Sequence, residues 1–187
     1  MVSRAADWIL PEPKKSLILS PALVLKMVLK RLLTGMNKTW LREYFDHLAP
    51  ERDKWIESNW YYHEAVKNLC RFIIPARSAV LDVGCGTGDL LYSVRPARGV
   101  GVDLSLKMIG LAEKKYPRLD WHIGDAEKLD LKECFDYVIM SDLVGYLVDM
   151  EQDFSALRSV SREETRVVVT YYNYLWEPVL RLGELVG

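Results

Sequence analysis

Three glycines set two residues apart, Gly84, Gly86 and Gly88, follow the apolar run Ala79-Val-Leu-Asp-Val83 and open onto Asp89-Leu-Leu-Tyr-Ser-Val. A chain that leaves a strand, turns on bare backbone and enters a helix within a few residues is committed to an α/β unit. The downstream chain repeats that alternation. Apolar runs recur at GVGVD (99–103), LDWHI (119–123), FDYVIM (135–140) and RVVVTYY (166–172), with the helical segments SLKMIGLAEKKY and MEQDFSALRSVSR between them. Strands that are apolar throughout are covered on both faces, as in a parallel sheet between two layers of helices. The pattern predicts an α/β protein with a doubly wound, mostly parallel sheet of about five strands.

Upstream the period is helical. Residues 39–73 read as two or three helices: one from Thr39 that Pro50 breaks, and one from about Arg52 to Phe72 carrying Trp55, Asn59, Tyr62, Val66 and Leu69 at three- and four-residue intervals. Residues 1–15 read as a loose tail. Ser20 and Pro21 then mark the N-cap and first position of a helix of about three turns. In the stretch 17–33, Lys26 and Lys30 share one face, while Leu25, Val28, Leu29 and Leu32 crowd the other. That stretch is too short and too basic to span a bilayer. It is expected either to pack on its own domain or a dimer partner, or to lie on a membrane surface as a peripheral contact. The domain plan is therefore a tail with a basic amphipathic helix at 1–38, a helical cap at 39–77 and an α/β domain at 78–187.

Charge and cysteines exclude several classes. Lys+Arg number 25 against Asp+Glu 26 in 187 residues, a net charge of −1, so no chain-wide nucleic-acid footprint is expected. Cys70, Cys85 and Cys134 are odd in number and far apart, with no CxxC, so neither a metal site nor a disulfide framework is expected. Asp7, Glu12 and two prolines occupy the place of a leader's apolar run, and a cytoplasmic setting is the natural reading.

The glycine spacing differs from the dinucleotide fingerprint G-x-G-x-x-G, and no Lys-Ser/Thr pair makes it a phosphate loop. Asp82, two residues before the first glycine, would repel a pyrophosphate and suits a ligand carrying positive charge. Asp103 ends the second strand, where a carboxylate can accept both hydroxyls of a ribose. Asp125 follows the third strand and can take an adenine amino group, cap a short helix at 126–129, or do both. The fourth strand runs into Ser141-Asp142-Leu-Val-Gly-Tyr146 on the same carboxyl edge, where ligands of open α/β sheets bind.

Residues 78–172 resemble the class I S-adenosylmethionine-dependent methyltransferases, and the motifs occur in the family's order. LDVGCGTG (81–88) is similar to the loop beneath the methionine part of the cofactor, GVDLSLKMI (101–109) to the ribose-binding strand end, GDAEKL (124–129) to the adenine side, and FDYVIMSDLVGYL (135–147) to the fourth strand and its substrate-facing loop. The resemblance implies a Rossmann-like sheet preceded by an N-terminal helical extension. It implies S-adenosyl-L-methionine as cofactor and S-adenosyl-L-homocysteine as product. It implies cofactor contacts from Asp82, Gly84, Cys85, Gly86, Gly88, Asp103, Leu104, Asp125, Ala126 and Ser141. YFDHLAPERDKW (44–55) resembles the family's helical cap, whose aromatic residues close over the cofactor; Tyr44, Tyr61 and Tyr62 are the candidates.

Methyl transfer from a sulfonium needs alignment above all, and a general base only for a weakly nucleophilic acceptor. No catalytic residue is assigned; Asp142, Tyr146, Tyr171, Tyr172 and His63 are the candidates, and His47 and His122 have no partner suggesting catalysis. The loop SDLVGY lacks the Asn/Asp-Pro-Pro-Tyr/Phe motif of adenine and glutamine methylation. Tyr171, Tyr172, Tyr174 and Trp176 either line an acceptor pocket or cover the sheet edge.

The family's sheet usually has seven strands, and this sequence stops at Gly187, within the helix expected after strand five. Strand five is then an open edge, for which a homodimer, another partner or weak stability is expected. The leading expectation is methyl transfer to a small-molecule, lipid-linked or saccharide acceptor. The alternative is a non-catalytic module of the same fold that binds the cofactor or a partner protein without turnover. A nucleotide-dependent oxidoreductase is disfavoured by the glycine spacing.

Overall fold

The structure, a computed structural model, describes residues 37–147 and 150–171. The basic stretch 17–33, and Tyr172, Tyr174 and Trp176, lie outside these residues. The described residues belong to a unit that begins at Asn37. Among them no helix is long and apolar enough to cross a membrane.

The cap opens with α1 (Lys38–Leu48), which starts where the Asn37 side chain accepts the Thr39 backbone N–H at 2.8 Å. Leu41 and Tyr44 point inward from it. Pro50 lies in a single 3₁₀ turn, Ala49–Glu51, that links α1 to α2 (Arg52–Ser58). The sequence reads as one helix from Arg52 to Phe72, but the structure breaks it at Asn59 before α3 (Trp60–Ile73). The Asn59 side-chain amide donates to the Trp55 carbonyl at 2.9 Å, and its backbone sits at φ −114°, ψ 31°. A short polar side chain that competes for helix carbonyls shifts the helix axis at that residue.

The sheet strands are β1 (Ala79–Val83), β2 (Arg98–Asp103), β3 (Asp120–Ile123), β4 (Phe135–Ser141) and β5 (Ser161–Thr170). They lie in the order β3-β2-β1-β4-β5, all parallel. α4 (Asp89–Ser93), α5 (Leu106–Lys115) and α6 (Met150–Ser159) make the crossovers. β5 begins earlier than the apolar run RVVVTYY indicates. Its start is irregular, with Phe135 opposite Ser161 and Tyr137 opposite Arg166. Thr165 holds this bulge: its hydroxyl donates to the Phe135 carbonyl at 2.6 Å and accepts the Arg162 N–H at 2.7 Å.

Two apolar cores flank the sheet, as unbroken apolar strands require. One gathers Val80, Ile139, Trp121 and Leu91 with Ile109 and Ala112 of α5 and Cys70 of α3. The other gathers Leu81, Val83, Val100, Val102, Phe135 and Val138 with Leu157 and Val160. Each such large side chain contributes about 2 kcal/mol of burial free energy. Strand order runs one way from β1 to β3 and the other way from β4 to β5. The switch point, where ligands of open α/β sheets bind, thus falls between the carboxyl ends of β1 and β4. On β5, the outer strand of the described sheet, Val167 and Val169 are exposed.

Candidate functional site

Gly84, Gly86 and Gly88 have φ of +76°, +54° and +84°. This is the left-handed region in which a Cβ is strained. At Gly88 a Cβ would stand 2.4 Å from the Trp121 ring. At Gly84 it would stand 2.9 Å from Leu143, so the loop after β4 lies directly against the first glycine. The loop is tied to β2 by the Gly84 and Cys85 amides, which donate to the Val102 carbonyl at 2.8 and 3.1 Å.

Asp82 and Asp103 stand beside this loop. Asp82 is almost wholly buried, and its Oδ2 has no hydrogen-bond partner. Burial, reinforced by the Asp103 charge, pushes its carboxyl up to about 7. Burial also raises Asp103, against the opposing pull of two backbone donors and Arg52. Those donors are the Gly86 N–H onto Oδ2 and the Ser105 N–H onto Oδ1, each at 2.8 Å. Asp103 therefore holds the glycine loop in shape, a task its sequence context does not announce. A carboxylate accepts about four hydrogen bonds, so this leaves capacity for hydroxyls.

Asp125 does cap a helix. Its side chain accepts the Glu127 N–H at the start of the 3₁₀ turn Ala126–Lys128. It also pairs with Lys38 at 2.8 Å, and both bonds fall on Oδ1. Leu104 and Ala126 are half-buried beside Asp103 and Asp125. The Ser141 hydroxyl is taken by β5, accepting from the Thr170 hydroxyl at 2.8 Å. Cys85 is buried, and burial together with Asp103 and Asp82 pushes its thiol far up, which makes it packing rather than a nucleophile.

The cap crosses this edge like a strap, with one polar tether per loop. Lys38 reaches past β3 to Asp125 and Glu127, at 2.8 and 2.7 Å. Asp46 accepts the Ser105 hydroxyl at 2.5 Å and the Lys107 N–H at 3.0 Å, beyond β2. Asp53 meets Lys115 at 2.9 Å, and Lys115 in turn holds Asp89 at 2.8 Å beside the glycine loop of β1. Tyr62 donates to both oxygens of Asp142 at 2.7 and 2.8 Å, beyond β4. Along the strap the tethers thus keep the sheet's own order, β3, β2, β1, β4. Lys38, Asp46, Asp53 and Lys115 are absent from the sequence-based candidates. On amphipathic helices such residues read as solvated faces, and only the tertiary placement distinguishes them.

The Lys38 tether is half-buried at both ends, with side-chain exposures of 27% and, for its partners, 21% and 6%. Lys38→Met is expected to cost about 1 kcal/mol locally and to speed hydrogen exchange of the first α1 amides roughly fivefold. Native-state exchange checks this, and unchanged protection would show that the tether holds nothing down.

Of the cap tyrosines, Tyr62 reaches Asp142 beyond β4. Tyr44 is buried and stacks on Trp40, with ring centroids 5.4 Å apart. Tyr61 is 76% exposed. Phe45 meets Tyr146 edge to face at 5.1 Å. The guanidinium of Arg52 lies 4.4 Å over the Trp55 ring. Burial lowers its pKa, opposed by Tyr146, Asp142, Asp103 and Asp89 around it.

His63 packs edge-on against Trp55 and Tyr62. Burial, with Arg52 and Lys67 nearby, lowers it to about 4, so it is a neutral and weak base at physiological pH. Its Nε2 is buried without a partner. His47 and His122 are exposed, and Tyr171 is 57% exposed at the end of β5. Among the described residues no cluster of His, Cys, Asp and Glu is arranged to hold a metal ion.

Residues 80–164 match the family model described as Methyltransferase domain. The chain is 32% identical over 124 residues to a demethylmenaquinone methyltransferase of Chlorobaculum parvum, a match covering 61% of this chain and 52% of that protein. It is 39% identical over 75 residues to a dTDP-4-amino-2,3,4,6-tetradeoxy-D-glucose N,N-dimethyltransferase of Saccharopolyspora spinosa, covering 39% and 30%. The chain spans at most about half the length of these curated relatives. Among solved structures it is similar to SAM-bound CalS10, an amino pentose methyltransferase from Micromonospora echinaspora. There the identity is 28% and the TM-score 0.51, over 59% of this chain and 49% of that one.

Proposed function

We propose that this chain, whose residues 80–164 are a methyltransferase domain of the class I fold, binds S-adenosylmethionine at the carboxyl edge of β1 to β4 and passes its methyl group to a small-molecule acceptor. The observation that carries this reading is the orphaned Oδ2 of buried Asp82, under three glycines of positive φ and beside Asp103. A buried oxygen left without a donor costs about 1–3 kcal/mol, which a cationic donor from a ligand relieves. The residues therefore fit a guest with an ammonium at one end and a ribose at the other.

The cofactor supplies a methyl group already bound to a good leaving group. The protein's work is to orient. Asp82 is assigned to the ammonium of the methionine part, with the backbone of Gly84, Cys85, Gly86 and Gly88 beneath it. Asp103, fixed by its two amide donors, is assigned to the ribose hydroxyls, flanked by Leu104. Asp125 and Ala126 face the adenine end, and Ser141 borders the methyl-transfer end. Holding both reactants in line contributes several kcal/mol to lowering the barrier. The relatives' acceptors, a quinone precursor and an amino sugar, support a small molecule as substrate.

Calorimetric titration of the full chain with S-adenosylhomocysteine and, separately, NAD tests the assignment. S-adenosylhomocysteine is expected to bind and NAD not to bind. Asp103→Ala is expected to weaken the adenosyl compound about 30-fold, since it removes a charged acceptor and unties Gly86. Undiminished affinity in that variant would reject the ribose assignment, and failure of the wild type to bind would reject the proposal. Binding without transfer of labelled methyl groups into a cell extract would favour the non-catalytic alternative.

A further inference from the structure

We propose that the outer face of α3 pairs with the same face of a second copy of this chain, in an antiparallel contact about a two-fold axis. The helix has two apolar faces, and the domain uses one. Val66, Cys70 and Ile73 pack into the core, and Tyr62 reaches Asp142. On the outer side Trp60, Tyr61, Leu69 and Phe72 are 65, 76, 46 and 88% exposed, with Ala65 exposed between them. Tyr61, Ala65 and Leu69 stand four apart and form one ridge, which Phe72 extends. An aromatic side chain presents roughly 150–250 Å², so Trp60, Tyr61 and Phe72 alone expose on the order of 500 Å². A patch of that size on a soluble domain marks an interaction surface.

The symmetry of the stripe identifies its occupant. Tyr61 with Phe72, Ala65 with Leu69, and Glu64 with Arg71 are three pairs centred on nearly the same point, close to Lys67. A two-fold axis through that point, perpendicular to the helix, sets Tyr61 against Phe72 of the partner subunit and Ala65 against Leu69 of the partner subunit. The small side chain of Ala65 lets the two backbones approach to about 8–10 Å. The same axis matches charge, with Glu64 facing Arg71 of the partner subunit and the reverse. Within one copy, Nη1 of Arg71 donates to Oε1 of Glu64 and to Oδ1 of Asn68, each at 2.9 Å. Among the described residues, Nη2 and Nε of Arg71 and Oε2 of Glu64 make no further hydrogen bond. A second copy therefore completes a ring of four charges without breaking a pair. A membrane or an unrelated partner requires no such palindrome. Two such faces bury on the order of 1,000 Å² of apolar surface, the lower end for a specific interface, so the dimer is expected to be weak, with a Kd on the order of 10 µM.

Sedimentation equilibrium of the full chain, from about 1 to about 100 µM, tests this. Wild type is expected to pass from monomer to dimer across that range. Phe72→Ser changes a side chain that is 88% exposed, and is expected to weaken association at least about tenfold while leaving the melting temperature unchanged. Glu64→Arg and Arg71→Glu each set like charges across the axis, and each is expected to remain monomeric at about 20 µM. Mixed in equal amounts, these two variants are expected to form a heterodimer about as tight as the wild-type dimer, because each copy then supplies the charge the other lacks. An ion pair confined to one copy cannot produce that rescue. A wild type that stays monomeric overturns the proposal. So does a dimer that Phe72→Ser leaves intact, since it would lie on another surface, and so does a mixture that fails to associate. Co-sedimentation of monomer with anionic phospholipid vesicles, lost in Phe72→Ser, would overturn it in favour of a membrane surface.

Discussion

Gly88→Ala is expected to destabilise the domain by about 3–4 kcal/mol, lowering its melting temperature by roughly 10 °C. Two costs add. A methyl group at φ +84° pays about 1–2 kcal/mol for the left-handed conformation. The new Cβ would also stand 2.4 Å from Cη2 of Trp121 and 3.0 Å from Cζ2 and Cζ3. That ring cannot move aside. It is buried, its Nε1 donates to the Tyr116 carbonyl at 3.1 Å, and the space over Gly101 on β2 is filled by the same ring, again 2.4 Å from where a Cβ would lie. Overpacking of this kind costs a further 1–3 kcal/mol, roughly. Thermal unfolding followed by circular dichroism checks it, and a loss under about 2 °C would mean that the tryptophan is not the wedge described.

The second large effect is on pH dependence. Asp82 titrates near 7 in the folded protein against 3.8 for an ordinary aspartate, so folding holds its proton more tightly than the unfolded chain does. Its contribution is most favourable below pH 3.8 and declines as pH rises. By pH 7 and above the whole cost of an uncompensated buried carboxylate is present, about 4 kcal/mol from the size of the shift. Asp82→Asn removes this titration. The stability of wild type minus that of the variant is therefore expected to fall by a few kcal/mol between about pH 4 and pH 8 in urea unfolding. Taking that difference cancels the opposite trend of His63, whose lowered pKa makes the fold more stable as pH rises from 4 to 6.5. Parallel curves for the two proteins would show that Asp82 finds a partner when folded.

Both effects sit where the sequence was most legible, and for a physical reason. Strands buried on two faces must be apolar throughout, so β1, β2 and β4 stood out as short unbroken runs, and their carboxyl ends located Asp82, Asp103 and Asp142 on one edge. Asp125 showed its capping role because N-caps are local, decided by residues two positions apart. What depends on distant partners was not legible. Asn59 fitted the helical period, yet its amide turned back on the Trp55 carbonyl at the point where the helix breaks, and Tyr62 of the next helix meets Asp142, a partner 80 positions away. The start of β5 hid in the polar run SREET because a bulge held by Thr165 has no apolar signature. Lys38, Asp46 and Asp53 looked like ordinary solvent-facing charges, since nothing in their own helices tells which charge will meet a loop some sixty to ninety positions away.

The order of the strap's tethers bears on how such a protein can change over time. Its Lys38 end borders the region assigned to the nucleobase, and its Tyr62 end borders the region assigned to the group being modified. Asp46 and Asp53 are separate fastenings in between. Mutations near Tyr62 can therefore reshape the acceptor end while the nucleobase end stays anchored, so that descendants inherit one grip and explore new chemistry with the other.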